Sequence, residues 1–198
     1  MLGKLIEVLS GLWYFVWGNI FAVFMYDRKY LKGKYFESSY GGILAIGWRW
    51  VVNDFWGRLF LGVNRGVPFP VSPFISVGNA ERIIFDVDDL NNFQSKGSRF
   101  QVMYNGKIKI GKGTWIANNV GIITTNHDLN ELEKHQEGTE IILGNKCWIG
   151  MNVMILPGVV LGDHTVVGAG AVVTKSFPEG YCVIAGNPAK KIRDLAAE

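Results

Sequence analysis

The sequence from Ile110 to Pro178 repeats every six residues, with one interruption. The first position of each hexad is aliphatic and occupied by Ile110, Ile116, Ile122, Leu143, Ile149, Ile155, Leu161, Val167 and Val173. The fifth position is mostly small and holds Thr114, Val120, Asn126, Cys147, Val153, Val159, Thr165 and Ala171. Stacked three-sided coils bury one large and one small residue per side, because neighbouring coils share a narrow interior. The repeat therefore predicts a triangular parallel β-helix.

The two commoner periodic patterns fit this region poorly. An amphipathic helix repeats its apolar residues about every 3.6 positions, and a half-buried strand alternates with period two. The fourth position of the hexads also carries residues that mostly tolerate a positive φ at a tight corner, namely Gly113, Asn119, Asn152, Gly158, His164 and Gly170. We therefore predict a chain corner at each of these positions.

Three stretches carry a resemblance to a known family: NHDLNELEKH, CWIGMNVMILPGVVLGDHTVVGAGAVVTKSFP and IAGNPAKKIR. This half of the chain resembles the hexapeptide-repeat, left-handed parallel β-helix acyltransferases. It is most similar to the sugar and capsular polysaccharide O-acetyltransferases of the maltose and galactoside acetyltransferase type. The resemblance implies the left-handed sense, a homotrimer, acetyl-CoA as acyl donor and no metal. It also implies that the acceptor is a hydroxyl of a bacterial surface glycan or its lipid-linked precursor.

The interruption of the repeat follows His127, and the next hexad in phase is 137–142. Residues 128–136 are therefore predicted to form a loop that leaves the coil at a corner, where this architecture carries function. In the family that the chain resembles, the histidine at the place of His127 is the general base. A neutral imidazole, with a pKa near ~6.5, can take the proton of a hydroxyl that attacks a thioester. No nucleophile elbow is present, which favours direct transfer over a covalent intermediate.

Other candidate site residues surround this base or lie nearer the C-terminus. The group that orients His127 is left open among Asp128, Glu133 and His135. Asn126 and His135 are candidates for acceptor binding, as is an asparagine of an early coil, Asn91 or Asn92. The resemblance implies that coenzyme A is bound by Trp148, Met151, Ala169, Thr174, Lys175, Lys190 and Arg193. The alternative is that His127 and the basic C-terminal residues are simply solvated.

Other functions remain open at this point. One alternative that the resemblance allows is acylation of an amine, on an amino sugar or a small molecule. A γ-type carbonic anhydrase needs three histidines around one zinc ion, and the chain has 3 in total, with His164 at a turn far from the others. A purely structural solenoid is the last class. A net charge of +3, with 20 basic and 17 acidic residues, argues against nucleic acid as the partner.

The N-terminal third has a different character. Residues 8–26 form a run of roughly 19 residues without a formal charge, close to the length that crosses a bilayer. The aromatic residues Trp13, Tyr14 and Trp17 favour an interfacial helix over a full span. The cations that follow suit anionic lipids of the cytoplasmic leaflet, and they are Arg28, Lys29, Lys32 and Lys34. The alternative is a helical annex that packs on the solenoid or across a trimer.

The predicted organisation follows from these segments. Residues 1–65 are a helical segment that associates with a membrane or packs in the trimer, and they include a second, amphipathic helix over 43–63. Residues 66–73 are a proline-rich connector. Residues 74–198 are the mainly β acetyltransferase domain with a basic tail. The expected location is the bacterial cytoplasm, at the cytoplasmic face of the inner membrane.

Overall fold

The computed structural model of the protein describes residues 2–37 and 42–196. The chain forms two compact units, Met1–Pro73 and Phe74–Glu198. The second unit is built from short strands, which are β1 (Ser76–Val77), β2 (Ile83–Ile84), β3 (Arg99–Gln101), β4 (Lys107–Ile110), β5 (Trp115–Ile116), β6 (Gly121–Ile123), β7 (Glu140–Leu143), β8 (Trp148–Ile149), β9 (Met154–Ile155), β10 (Val160–Leu161), β11 (Val166–Val167), β12 (Val172–Val173), β13 (Cys182–Ala185) and β14 (Lys190–Asp194).

These strands form three sheets. Sheet A has the order β1-β3-β6-β9-β12, sheet B the order β10-β7-β4-β2, and sheet C the order β14-β13-β11-β8-β5. The strands of each sheet pair in parallel, except that β14 lies antiparallel to β13. From β4 to β12 the chain visits sheets B, C and A in turn, so each circuit is one triangular coil. The predicted fold class, a parallel β-helix of hexapeptide repeats with an N-terminal helical segment, is confirmed.

The interior of the coils follows the two predicted columns. Every aliphatic residue at the first position of a hexad is buried, and so is every residue at the fifth position apart from Asn126. Asn126 is exposed because the chain leaves the coil there, so its prediction as an inward residue is wrong. Polar members of the column are satisfied inside: the Thr114 hydroxyl donates to the carbonyl of Gly144 at 2.7 Å and accepts from the amide of Cys147 at 3.0 Å.

The corners have the predicted backbone. Positive φ angles occur at all six positions, with 74° at Gly113, 60° at Asn119, 58° at Asn152, 79° at Gly158, 56° at His164 and 72° at Gly170. Lys146, which fills the same hexad position, has a φ of 52° although its residue type does not predict it. The second hexad position needs glycine for a different reason. A Cβ added at Gly162 would lie 2.2 Å from the carbonyl oxygen of Pro178 in the next coil.

The early coils are less regular, and an asparagine side chain completes one of them. β1 pairs with β3 in sheet A, and β2 pairs with β4 in sheet B. The fully buried Asn92 stands beside β5, where its amide donates to the carbonyl of Thr114 at 2.8 Å and its oxygen accepts from the amide of Ile116 at 2.9 Å. Asn92 therefore supports the fold and is not free to contact an acceptor.

The first unit contains two helices, α1 (Leu2–Met25) and α2 (Ile46–Trp56), and a π-helical turn, Gly57–Leu61. The helices run in the same direction, because successive residues of α1 meet successive residues of α2. Gly18 lies against Trp48, and further along, the rings of Phe21 and Phe55 stack with centroids 3.7 Å apart. The predicted amphipathic helix over 43–63 is thus a shorter helix that continues into this turn.

A buried polar cluster joins the ends of these helices. Asp54 accepts hydrogen bonds from the Arg58 guanidinium and from the Tyr26 hydroxyl, both at 2.7 Å. Arg58 also donates to the carbonyls of Val67 and Phe69 in the proline-rich connector. The amide of Val71, in the same connector, donates to Asp54. Because all three are buried, this half of the connector is packed against the helices of its own unit.

Candidate active site

The interruption of the repeat forms a closed loop at one edge of the triangle. β6 belongs to sheet A and β7 to sheet B, so the loop leaves the edge between these sheets, which we call the A–B edge. Its two arms are joined at the root by an antiparallel bridge between His127 and His135. The amide of Gln136 donates to the carbonyl of Asn126, and the amide of Asp128 donates to that of Lys134, both at 2.9 Å. These bonds give His127 a defined place.

The hydrogen bond of the His127 ring fixes its tautomer. Nδ1 lies 2.6 Å from the carbonyl oxygen of Leu132, which can only accept a hydrogen bond. We therefore assign the proton to Nδ1, which leaves Nε2 of the neutral ring with a free lone pair. His127 is exposed, so a hydroxyl can approach this nitrogen. The arrangement leaves one exposed ring nitrogen able to accept a proton.

The other candidates for orienting His127 have different roles. Asp128 turns away to cap the loop, where its Oδ1 accepts from the amides of Asn130 at 2.8 Å and Glu131 at 3.1 Å. Glu133 is exposed and, within the described ranges, hydrogen-bonds to neither loop histidine. The orienting contact, which was left open among Asp128, Glu133 and His135, is made by a backbone carbonyl, which no side-chain pattern specifies.

His135 and Tyr104 extend the site in the direction of the earlier coils. The ring centroid of His135 is 4.1 Å from that of His127 and 5.3 Å from that of Tyr104. Tyr104 follows β3 at the A–B edge, is half exposed and has a φ of 51°, which is uncommon for a bulky residue. Tyr104 was not predicted as a site residue. The Asn-Gly pair after it indicates a corner, but nothing in the sequence directs its ring towards the loop.

The residues predicted to bind coenzyme A lie at three places. Thr174 and Lys175 follow β12 at the A–B edge, two coils beyond the loop, or about 10 Å at the usual strand spacing. Met151 and Ala169 lie at the edge between sheets C and A, in successive coils. Three others are on sheet C: Trp148 on β8, and Lys190 and Arg193 on β14.

The cations among these residues are available for an anion. Within the described part of the chain, no carboxylate pairs with Lys175, Lys190 or Arg193, whereas the neighbouring Lys191 is paired with Asp194 at 2.5 Å. Lys190 and Arg193 are both exposed on β14. They are therefore suited to phosphate groups, which prefer unpaired lysine and arginine side chains.

Trp148 and His127 of one chain lie on opposite sides of the triangle. Sheet C is the side that faces the A–B edge across the interior of the coil. Trp148 projects from sheet C with an exposed fraction of 58%, beside its register partner Trp115 at 60%. His127, the predicted base, and Trp148, which is predicted to bind coenzyme A, therefore do not meet within one chain.

The structure gives no support to a zinc site. Within residues 2–37 and 42–196, no three histidine, cysteine, aspartate or glutamate side chains are grouped so that they could hold a metal ion. His164 is at the corner between sheets B and C, where its ring stacks on that of Tyr181 with centroids 4.6 Å apart. This histidine is separated from the His127 and His135 pair, so the three do not converge as a carbonic anhydrase requires.

Comparisons with known proteins match the β-helix. A family model described as bacterial transferase hexapeptide (six repeats) matches residues 140–175. The galactoside O-acetyltransferase of Escherichia coli (strain K12) is 43% identical over 91 residues, which are 44% of this chain and 44% of that protein. The chain spans about half the length of the curated relatives it matches.

Similar solved structures include two sugar acetyltransferases. A maltose O-acetyltransferase from Clostridium difficile 630 is 30% identical, with a TM-score of 0.44 over 62% of this chain and 60% of that chain. A galactoside acetyltransferase in complex with coenzyme A is 36% identical, with a TM-score of 0.46 over 53% of each chain. The match agrees with the repeat and its buried positions: residues 140–175 carry the hexapeptide repeat of bacterial transferases, and the β-helical unit is similar to that family.

Proposed function

We propose that the protein transfers an acetyl group from acetyl-CoA to a sugar hydroxyl of a bacterial surface polysaccharide, such as a capsule, or of its lipid-linked precursor. The observation that carries the proposal is the bond from His127 Nδ1 to the Leu132 carbonyl, which leaves Nε2 as a proton acceptor on an exposed edge. The similarity of the β-helix to a galactoside O-acetyltransferase supports a sugar as acceptor.

The chemistry that this base supports is direct transfer. His127 Nε2 takes the proton of the sugar hydroxyl while the hydroxyl oxygen attacks the thioester carbonyl. The tetrahedral intermediate then collapses and the C–S bond breaks. The departing thiolate receives the proton from the imidazolium, so the products are the sugar ester and free coenzyme A. No group of the protein is acylated.

Two residues of the A–B edge indicate on which side of His127 each substrate binds. Lys175 lies beyond the loop and suits a phosphate of coenzyme A, whereas Tyr104 lies before it. The half-exposed Tyr104 ring, next to His135, offers an apolar surface for the C–H face of a sugar ring. We place the donor on the Lys175 side of His127 and the acceptor on the Tyr104 side.

A homotrimer would complete this site. Trp148 faces away from His127 of its own chain, and it is a large exposed aromatic residue on a flat sheet. A cyclic trimer can place sheet C of one subunit against the A–B edge of the next. Trp148 of one subunit then covers the thioester that lies next to His127 of another subunit. By excluding water, the tryptophan protects the thioester from hydrolysis.

Subunit mixing tests this arrangement. His127→Ala and Trp148→Ala are each expected to lower activity. When the two variants are produced together, about one quarter of wild-type activity should return, because about one quarter of randomly formed interfaces combine an intact His127 with an intact Trp148. The measurement is thiol release from acetyl-CoA by the co-expressed mixture and by each variant alone. Activity of the mixture no higher than the mean of the two variants, or full activity of Trp148→Ala, would contradict the shared site.

The reaction itself is tested with purified protein, acetyl-CoA and a panel of free and polyprenyl-linked glycans. We expect thiol release that depends on a glycan, together with an acetylated product that mild alkali cleaves, as an ester requires. A product stable to alkali would show an amide instead and assign the protein to amine acylation. Failure of every glycan in the panel to increase thiol release above the background rate would count against the proposal.

We place this reaction at the cytoplasmic face of the inner membrane. A polyprenyl-linked glycan is anchored in the bilayer, and acetyl-CoA is soluble, so an enzyme on the membrane surface meets both. The exposed apolar surface of the N-terminal unit supports this location.

A further inference from the structure

The helix α1 leaves most of its apolar side chains uncovered. In α1, only Gly18 and Ala22 are buried. At 100° per residue, the exposed apolar residues form a stripe about 180° wide on the side of α1 opposite α2. They are Leu2, Leu5, Ile6, Val8, Leu9, Leu12, Trp13, Val16, Trp17, Ile20, Val23 and Phe24. By length and composition alone, this helix could also cross a bilayer.

Neighbouring parts of the N-terminal unit extend this apolar surface. A groove of about 370 Å³ between the two helices is lined entirely by apolar or aromatic residues, which are Trp13, Trp17, Phe21, Phe55, Trp56 and Leu59. Leu59, Phe60 and Leu61 of the π-helical turn are exposed by 53%, 73% and 63%. Most exposed apolar residues of soluble monomers are scattered singly, whereas these form one contiguous patch.

Two features of the polar groups favour lipid as the partner of this surface. The Asn19 side chain, at the margin of the stripe, donates to the carbonyl of Phe15 in its own helix at 2.8 Å, so it enters an apolar medium with this donor satisfied. The exposed cations Arg28 and Lys32 share a cavity lining with Val23, and therefore border the stripe. A cationic rim beside an apolar stripe is complementary to a bilayer with anionic headgroups.

We propose that the N-terminal unit docks on an anionic phospholipid bilayer, with α1 in the plane of the membrane and its stripe in the headgroup and acyl-chain boundary. The width of the stripe favours a bilayer over a second copy of the chain, since the seam of two packed helices is narrower. The packing favours the plane over a span. α2 lies along α1 and exposes Arg49, which a span would carry into hydrocarbon at high cost.

Vesicle sedimentation of the full chain tests the docking. We expect binding to phosphatidylcholine vesicles that contain phosphatidylglycerol, and weaker binding to phosphatidylcholine alone. The pair Leu9→Glu and Val16→Glu should abolish binding, and the pair Arg28→Ala and Lys32→Ala should weaken binding to anionic vesicles about tenfold or more. The matched control, Leu129→Glu with Ile192→Glu, adds the same charge at exposed apolar residues of the other unit and should bind as the wild type does.

Other outcomes would overturn the proposal. No binding to either vesicle, or binding unchanged by the Leu9 and Val16 pair, removes the bilayer as partner. If that pair instead dissociates an oligomer in the absence of vesicles, the stripe is a subunit interface. An amino-terminal tag on vesicle-bound protein should be fully accessible to added protease, and its protection would show that α1 crosses the membrane. These readouts do not require acetyl transfer, so they separate a failure of docking from a failure of the proposed reaction.

Discussion

Replacing His127 by alanine is expected to lower kcat by about 10²–10⁴-fold, the usual contribution of a positioned general base. In the proposed reaction the ring accepts the hydroxyl proton at Nε2, because its Nδ1 proton is held by the Leu132 carbonyl at 2.6 Å. The KM for acetyl-CoA should change little, since the cations suited to its phosphates lie elsewhere. Steady-state thiol release at saturating acceptor measures the effect.

The matched control for this variant is His164→Asn. His164 lies at a corner with a φ of 56° and stacks on Tyr181, on a different edge of the triangle. Asparagine tolerates this backbone conformation, so activity should remain near that of the wild type. Because His127 is exposed, its alanine variant should also unfold at the wild-type temperature. Wild-type kcat in His127→Ala would remove the proposed base.

Replacing Asp54 by alanine is expected to cost about 3–5 kcal/mol of stability in the N-terminal unit, because it leaves the buried Arg58 guanidinium without its counter-charge. Arg58 is 5% exposed and Asp54 is fully buried. Burial also raises the pKa of the Tyr26 phenol, so its hydroxyl keeps its proton and remains the donor to Asp54 throughout the neutral range. Urea unfolding monitored by tryptophan fluorescence measures the loss, since most tryptophans lie in this unit.

A surface ion pair provides the comparison. Lys29 and Asp27 are 3.2 Å apart, with side chains exposed by 63% and 46%. Asp27→Asn keeps the size of the side chain and should leave the free energy of unfolding almost unchanged, as is usual for exposed ion pairs. A loss in Asp54→Ala as small as that of Asp27→Asn would mean that water reaches Arg58 and that the cluster does not hold the connector.

The solenoid could be predicted from the sequence because each of its rules acts on one hexad at a time. Ile149 or Ile155 is inside because its position in the repeat is inside, and Asn119 or Gly158 turns because its position is a corner. Residue type and backbone requirement agree at each step, which is the condition under which local patterns specify a fold.

The parts that could not be predicted depend on contacts that the repeat does not encode. The partner of His127 Nδ1 is the Leu132 carbonyl, and every residue has a carbonyl. Asp54 and Arg58 lie within the predicted amphipathic helix over 43–63, yet both are buried, because each neutralises the other and the connector supplies further polar partners. Tyr104 was missed because its ring meets the loop only after the coils have stacked.

The antiparallel final strand, β14, affects whether molecules of the protein can stack end to end. β14 lies at the end of sheet C, antiparallel to β13, with all five of its side chains exposed. An open end of a coil stack is a template on which another solenoid could add its first coil and begin a fibre. A strand of opposite polarity that carries Lys190, Lys191, Arg193 and Asp194 presents the wrong hydrogen-bond pattern and a charged rim. β14 thus covers the edge of β13 in sheet C, so that another solenoid cannot add a parallel strand there.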